Sequence, residues 1–195
     1  MEKETKTKEQ IFQAASKLFY ENGYAGTEPT EVLKNSALPE KTFSHYFPTK
    51  SDLGIFYITE IQAEVLDVIQ KTLDKHPHFD QFILVWIKLI QRTISNDYFL
   101  GCPLGNIYSQ TYSDPMFKKH IYKTFQSFKF IFIDYFSKNY QLPLLEAREL
   151  SEEVIALYEG SMKMFAIDNN KKYFDHLRDH LLYIHKRSIG KRSIT

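Results

Sequence analysis

The sequence predicts an all-α protein. Apolar residues recur at helical spacing through most of the chain, and only 7 glycines and 7 prolines interrupt the 195 residues. Hydrophobic residues make up 43% and aromatic residues 15%, which is ample material for a core. The segment FKFIFIDYF could pass for a strand, but its length and the periodicity around it favour a helix buried on most sides.

Composition limits the class of protein. Lys and Arg number 25 against 24 Asp and Glu, so any nucleic-acid binding must come from a local patch. One cysteine excludes a disulfide framework within the chain and suits a reducing compartment. The charged start MEKETKTKEQ and the lack of a bilayer-length apolar stretch predict a cytoplasmic protein with no membrane partner.

The first helix is expected to begin at Thr7, where Thr7 and Gln10 fit a capping box. Gly23 is expected to end it, because glycine accepts the left-handed conformation common at helix C-termini. One apolar stripe connects the two ends: Ile11, Ala14, Ala15, Leu18 and Phe19.

Two short helices and a tight turn follow. Thr27 is expected to cap the second helix, with Pro29 in its first turn. Residues 36–38 form the turn, and a third helix is expected from Pro39 to Phe47. Two short helices braced by a longer one predict a helix-turn-helix unit over residues 1–50.

Further helices are predicted for the rest of the chain. Thr49 and Asp52 are expected to cap a fourth helix that runs to about Asp74. The later helices are expected at about 79–95, 104–111, from 115 through the Phe-rich segment, 146–167 and 172–187, with a basic tail after them.

The third helix has the composition of a helix that reads DNA. Phe43 and Phe47 are expected to face inward, and the polar set to face outward: Lys41, Thr42, Ser44, His45 and Tyr46. A short helix of this kind fits the major groove, and Lys50 at the next helix start favours a phosphate. The alternative is an ordinary helical hairpin within a core.

Residues Thr7 to Leu53 resemble the DNA-binding domain of TetR-like transcriptional regulators, through IFQAASKLF, NGYAGT and above all TFSHYFPTKSDL. The resemblance implies a homodimer that binds a palindromic operator in double-stranded DNA and releases it when a small molecule binds the C-terminal domain. It also implies phosphate contacts by Thr27, Tyr46 and Lys50. The residues nearest the bases would be Lys41, Thr42, Ser44 and His45.

Three positions depart from the family pattern. Ala37 stands where a turn glycine is usual, Pro39 replaces a capping hydroxyl, and Lys41 replaces a small residue. Residues 1–50 carry seven Lys, seven Glu and no Arg, so weak nonspecific binding is expected.

The C-terminal residues 51–195 are expected to form a helical ligand-binding and dimerisation domain. Aromatic side chains in the middle helices suggest a pocket for an apolar or aromatic effector, although plain core packing is the alternative for each residue. The candidate set is Trp86, Cys102, Tyr108, Tyr112, Tyr122, Phe125 and Phe128.

Cys102, in the segment GCPLGN, is the single thiol. A similar element in some TetR-like proteins carries a cysteine that responds to electrophiles, and a helix N-terminus lowers a thiol pKa. A buried structural thiol is the alternative. The pairs His176/His180 and His76/His78 lack a third ligand, so no metal site is predicted. No cofactor and no catalytic constellation is predicted either.

The two final helices are expected to form a four-helix dimer interface, with Ala156 and Gly160 allowing close approach. The expected protein is therefore a ligand-responsive regulator, a repressor and not an enzyme. The alternatives are a helical small-molecule-binding protein whose helix-turn-helix no longer reads DNA and, more remotely, a small helical enzyme.

Overall fold

The computed structural model describes residues 2–94 and 101–189, and within these ranges the chain is helical with no strand, as predicted. The predicted end of the fifth helix at Ser95 and the predicted basic tail lie outside the described residues. The helices are α1 (Glu2–Asn22), α2 (Pro29–Ser36), α3 (Glu40–Tyr46), α4 (Lys50–Lys75), α5 (Phe79–Thr93), α6 (Pro103–Thr111), α7 (Pro115–Tyr140), α8 (Leu144–Asp168) and α9 (Lys172–Ile184), and a π-helical turn (His185–Ile189) follows α9.

The predicted start of the first helix was wrong. α1 begins at Glu2, and Thr7 is buried within it instead of capping it. The charged residues before Thr7 are good helix formers, and the Lys8 ammonium lies 2.8 Å from the Glu4 carboxylate one turn earlier. At the other end, Gly23 has a φ of 75°, which confirms the predicted left-handed helix terminus.

The predicted cap of the second helix was also wrong. Glu28, not Thr27, is the N-cap of α2, and its backbone N–H donates to the Glu31 carboxylate at 2.7 Å. This arrangement is a capping box built from two glutamates. The cap predicted for the fourth helix is confirmed, because the Asp52 N–H donates to the Thr49 hydroxyl oxygen at 3.1 Å.

Backbone contacts divide the chain into two units. Unit 1 comprises residues 1–63 and 103–124, and unit 2 comprises residues 64–102 and 125–195. Unit 1 therefore holds α1 to α3, the first half of α4, α6 and the start of α7.

The core of unit 2 is aromatic and is formed mainly by α5, α7, α8 and α9. Phe79, Phe132, Phe136 and Phe174 are fully or almost fully buried. The Phe79 backbone N–H donates to the buried Tyr140 hydroxyl at 2.7 Å, which satisfies an amide at the start of α5. Among the described residues, no helix is long and apolar enough to cross a bilayer.

Candidate nucleic-acid interface

α3 is held in unit 1 by the two phenylalanines predicted to face inward. Phe43 and Phe47 are both buried, with their ring centroids 6.0 Å apart. The Phe47 ring lies 4.9 Å from Phe56 of α4, and Phe56 meets Phe12 of α1 edge to face at 6.3 Å. This aromatic chain orients α3 against both longer helices, so its opposite face is presented to the outside.

The outward face of α3 carries the polar side chains predicted for it. Lys41, Ser44 and His45 are exposed, and Thr42 and Tyr46 are half-buried. Donors and acceptors of this kind match the edges of base pairs in the major groove. The structure therefore brings five of the seven predicted DNA-binding residues together on one short helix.

The turn between α2 and α3 is closed by Ala37 in the left-handed conformation, with φ 54° and ψ 29°. Glycine adopts this conformation without steric cost, whereas the Cβ of alanine is crowded by the following carbonyl. Ala37 therefore holds a conformation that is strained for a residue with a Cβ. The turn keeps its geometry without the glycine, and it joins the two helices in the helix-turn-helix order.

Lys8 is a candidate contact that sequence reasoning missed. Its ammonium lies 5.7 Å from the centre of the Tyr46 ring, so α1 contributes a cation beside the outward face of α3. The Glu4–Lys8 pair signals a helix over these residues. A helix that begins at Thr7 would have Lys8 in its first turn, whereas in α1 Lys8 lies one full turn beyond Glu4.

Lys50 is anchored to the loop between α1 and α2. Its ammonium donates to the Ala25 carbonyl at 3.2 Å, lies 3.7 Å from the Glu28 carboxylate, and is 5.2 Å from the centre of the Tyr24 ring. The Lys50 side chain remains 27% exposed. It can therefore join this loop to α4 while presenting part of its charge to solvent.

Thr27 has a different environment from the other six predicted DNA contacts. It is completely buried, and its hydroxyl lies 2.8 Å from the Gly23 carbonyl and 3.1 Å from the Leu18 carbonyl. The side chain therefore satisfies carbonyls at the end of α1. Because it has no exposed surface, the Thr27 side chain is not available for a phosphate contact.

α6 also holds the loop between α1 and α2. The Gln110 side-chain oxygen accepts a 2.7 Å hydrogen bond from the Ala25 backbone N–H. On the same loop, the Tyr24 ring lies 5.1 Å from the ring of Phe117 in α7. Gly54 of α4 allows this approach, since a Cβ there would lie 2.7 Å from both rings. The loop preceding the helix-turn-helix is thus tied to α4, α6 and α7.

The residues predicted to line a ligand pocket are not brought together around either described cavity. Tyr112 and Tyr122 are 65% and 64% exposed, Tyr108 is exposed, and Phe125 is half-buried. One cavity, of about 10 Å³, lies between α1 and α6 and has room for one water molecule. The other, of about 280 Å³, is lined by Gln91, Ile94, Lys171 and Phe174.

Trp86, Phe128 and Cys102 are buried, and Trp86 belongs to the core of unit 2. The Trp86 ring stacks between Phe82 at 5.3 Å and Tyr158 at 5.2 Å. This stack is part of the aromatic core of unit 2. Sequence periodicity cannot separate such a core residue from one that lines a cavity, because both are apolar and lie on the inner face of a helix.

Cys102 lies beside a buried carboxyl group on α8. The cysteine is only 8% exposed, and the neighbouring Glu159 has one carboxyl oxygen buried without a hydrogen-bond partner. Burial raises the pKa of Glu159, and its hydrogen bond with Cys102 opposes that rise. Burial also holds the pKa of Tyr158 well above its ordinary value. Of the two environments left open for Cys102, the structure shows the buried one.

The histidine pairs do not form a metal site with other side chains. His176 and His180 are exposed on α9, and His78 is exposed at the start of α5. In the ranges 2–94 and 101–189, no three or more His, Cys, Asp or Glu residues are arranged to hold a metal ion.

Comparison with known proteins finds a family match in the part of the chain that contains α2 and α3. Residues 11–54 match the family model described as bacterial regulatory proteins, tetR family. The chain is 28% identical over 170 residues to an uncharacterized HTH-type transcriptional regulator, YxaF, of Bacillus subtilis, covering 85% of this chain and 87% of the relative.

Solved structures match over nearly the whole chain. A TetR transcriptional regulator from Chloroflexus aurantiacus superposes with a TM-score of 0.80 at 20% identity, covering 99% of this chain and 100% of that one. A second, from Legionella pneumophila, superposes with a TM-score of 0.79 at 18% identity, covering 91% and 96%. These likenesses confirm the fold, and the family match over residues 11–54 spans α2, α3 and parts of α1 and α4. Residues 11–54 therefore match the tetR-family model, and over most of its length the chain is similar to HTH-type transcriptional regulators.

Proposed function

We propose that the chain is a homodimeric repressor that binds a palindromic operator through α3 and releases it when a small molecule binds. The observation that carries the proposal is the division of α3 into two faces. Phe43 and Phe47 fix the helix from inside, and Lys41, Ser44 and His45 are exposed on the other side. In this proposal residues 1–50 bind DNA, and residues 51–195 bind the effector and the second subunit.

Within α3, Lys41, Thr42, Ser44 and His45 contact base edges, and Tyr46 contacts a phosphate. Lys50 adds a second phosphate contact from the start of α4, and its bond to Ala25 fixes its position. Lys8, whose ammonium lies over the Tyr46 ring, adds a third lysine to the proposed interface, besides Lys41 and Lys50. With seven Lys balanced by seven Glu over residues 1–50, affinity depends on few phosphate contacts, so its salt dependence is shallow.

The second subunit binds through the outward faces of α8 and α9. In the complex with the operator, the two copies of α3 lie about 34–36 Å apart on successive major grooves. Gly160 and Ala156 are both exposed on α8 and allow helices to approach closely. Leu145, Ile167 and Tyr183, all exposed, add apolar area to the same region.

The effector in this proposal is an apolar or aromatic molecule that binds the form of the protein with low DNA affinity more tightly. α6 is the element through which it acts, because Gln110 holds the loop that precedes the helix-turn-helix. Cys102 immediately precedes α6, so adding an electrophile to its thiol would act on the same helix. Because Cys102 is buried, that covalent route requires an opening of the structure around it.

A second candidate function is a helical small-molecule-binding protein that no longer reads DNA. It is favoured by the balanced charge of residues 1–50 and by Ala37 in the turn. A measurement of DNA binding distinguishes the two candidate functions. The repressor should bind the DNA upstream of its own coding region, and Lys50→Ala should weaken binding to every sequence and reduce the salt slope by about one unit.

Lys34→Ala is the matched control for that measurement, since Lys34 is exposed on α2 and outside the proposed interface. Absence of salt-dependent binding by the unaltered protein would favour the second candidate. For the covalent route, mass spectrometry should place an electrophile adduct on Cys102 before DNA affinity falls. If the thiol resists modification in the folded protein, the signal is a noncovalent ligand.

A further inference from the structure

The first two turns of α7 have one buried face and one exposed face. Phe117, Ile121 and Thr124 are buried, and the Thr124 hydroxyl donates to the Gln62 side-chain oxygen of α4 at 2.8 Å. The exposed residues between them are Lys118, Lys119, Tyr122 and Lys123. We call these four residues the α7 patch. They belong to unit 1, which also contains α1 to α3.

The α7 patch holds the excess positive charge of its part of unit 1. Residues 1–63 carry seven Lys and no Arg against eight Glu and one Asp, a net charge of −2. Residues 103–124 carry three Lys against one Asp, a net charge of +2, and all three Lys belong to the patch. Phosphate binding depends on the local charge and not on the total. The α7 patch therefore has the local charge that a polyanion requires.

The ammonium groups of Lys118 and Lys119 have no carboxylate partner. Neither forms an ion pair in the described part of the chain, whereas Lys8 and Lys50 each form one. Asp114 lies one turn before Lys118, but its carboxylate accepts a 2.8 Å hydrogen bond from the Met116 backbone N–H and so caps α7. The positive charge of these two lysines is thus available to a ligand.

The α7 patch adjoins Lys50, which is a phosphate contact in the proposed function. The centre of the Tyr24 ring lies 5.2 Å from the Lys50 ammonium and 5.1 Å from the ring of Phe117, the residue directly before the patch. A DNA strand carries one phosphate per about 3.4 Å of helix axis. A strand that contacts Lys50 therefore offers further phosphates to the long, flexible lysine side chains of the patch.

We propose that the α7 patch is a second surface for the DNA backbone, which binds phosphates on the flank of the operator beside those that Lys50 contacts. The inference rests on the DNA binding of the proposed function and extends it to a helix outside residues 1–50. Lys118, Lys119 and Lys123 bind the phosphates, and the Tyr122 hydroxyl donates a hydrogen bond to one of them. Because the patch reads no base, it adds affinity for DNA of any sequence, which the balanced charge of residues 1–50 provides only weakly.

Salt titrations of DNA binding test the α7 patch. The affinity of the full-length protein would be measured by fluorescence anisotropy at several salt concentrations for two probes, the DNA upstream of its own coding region and a mixed-sequence duplex of the same length. Replacing Lys118, Lys119 and Lys123 together by Gln should reduce the slope of log affinity against log salt concentration with both probes. The expected reduction is about two units or more per subunit, since each phosphate contact contributes about 0.9 unit.

Two variants serve as controls. The first replaces Lys71, Lys75 and Lys88 together by Gln, because these lysines are exposed in unit 2 and their loss changes the net charge equally. It should keep the parent slope. The second replaces the three patch lysines by Arg, which preserves the charge and should also preserve the slope. Helical circular dichroism of every variant should match that of the parent, since all the substituted side chains are exposed.

The outcomes separate the α7 patch from the proposed function. Parent-like slopes of the patch Gln variant with both probes overturn the patch and leave DNA binding by α3 standing. An equal loss of slope in the unit 2 control also overturns it, because net charge would then be the cause. A parent that binds neither probe in a salt-dependent way overturns both proposals. If the patch Gln variant binds DNA like the parent but loses binding to phosphatidylserine vesicles, the partner is a membrane surface and the patch is not a DNA contact.

Discussion

Replacing Ala37 by glycine should stabilise the protein. Ala37 holds the left-handed conformation with φ 54° and ψ 29°, which costs an L-residue about 1–2 kcal/mol. Glycine removes that cost, while its greater freedom in the unfolded chain returns about 0.5–1 kcal/mol. Because Ala37 is exposed, no packing is lost. The expected net gain in the free energy of unfolding is about 0.5–1 kcal/mol, or roughly 1–4 °C in Tm for a chain of this size.

Asn169→Gly provides a matched control for Ala37→Gly. Asn169 closes α8 with almost the same conformation, φ 56° and ψ 26°, but asparagine tolerates this region better than alanine. Urea unfolding followed by helical circular dichroism, at one protein concentration, should therefore give the smaller gain for Asn169→Gly. If Ala37→Gly is neutral or destabilising while Asn169→Gly gains stability, the reasoning about strain in the α2–α3 turn is refuted.

Three further substitutions have defined outcomes. Tyr140→Phe should lower the free energy of unfolding by about 1–3 kcal/mol, because the buried Phe79 N–H loses its acceptor. Tyr122→Phe is the control, since Tyr122 is exposed and its hydroxyl should contribute little to the free energy of unfolding. Gln110→Leu should weaken operator binding in an anisotropy titration without loss of helicity, since the loop before α2 loses its bond to α6; unchanged affinity would contradict the coupling. Burial lowers the pKa of His185 in the folded state. As the pH falls, the unfolded chain therefore takes up this proton first, near pH 6.5. The free energy of unfolding should consequently decrease as the pH drops below about 7. His185→Phe should flatten that pH dependence, and an unaltered slope would exclude His185 as its cause.

Local sequence signals predicted the helix-turn-helix well because its information lies within a few turns of chain. The spacing of Phe43 and Phe47 sets which side of α3 faces inward, and both are buried as expected. The cap at Thr49 and Asp52 was read correctly for the same reason. The cap at α2 was misread because Thr27 and Glu28 are adjacent, and the hydroxyl turns toward the end of α1.

Features that depend on contacts between distant segments could not be predicted. The placement of Lys50 on the Ala25 carbonyl joins residues 25 positions apart, and the Gln110 bond to Ala25 joins residues 85 apart. No local pattern marks such pairs. The aromatic candidates for the pocket could not be sorted by exposure from the sequence, because helix packing sets their exposure. Trp86 is buried, for example, and Tyr122 is exposed.

The most direct test of DNA reading by α3 is the affinity of Lys41→Ala for a set of operators that differ by single base pairs. Lys41 is exposed on α3, and as a base contact it should matter only where its own base pair is present. We expect Lys41→Ala to lose about 1–3 kcal/mol of binding free energy at one or two operator positions, and to bind with near-parent affinity to operators already changed there. An equal loss across every operator variant would contradict it.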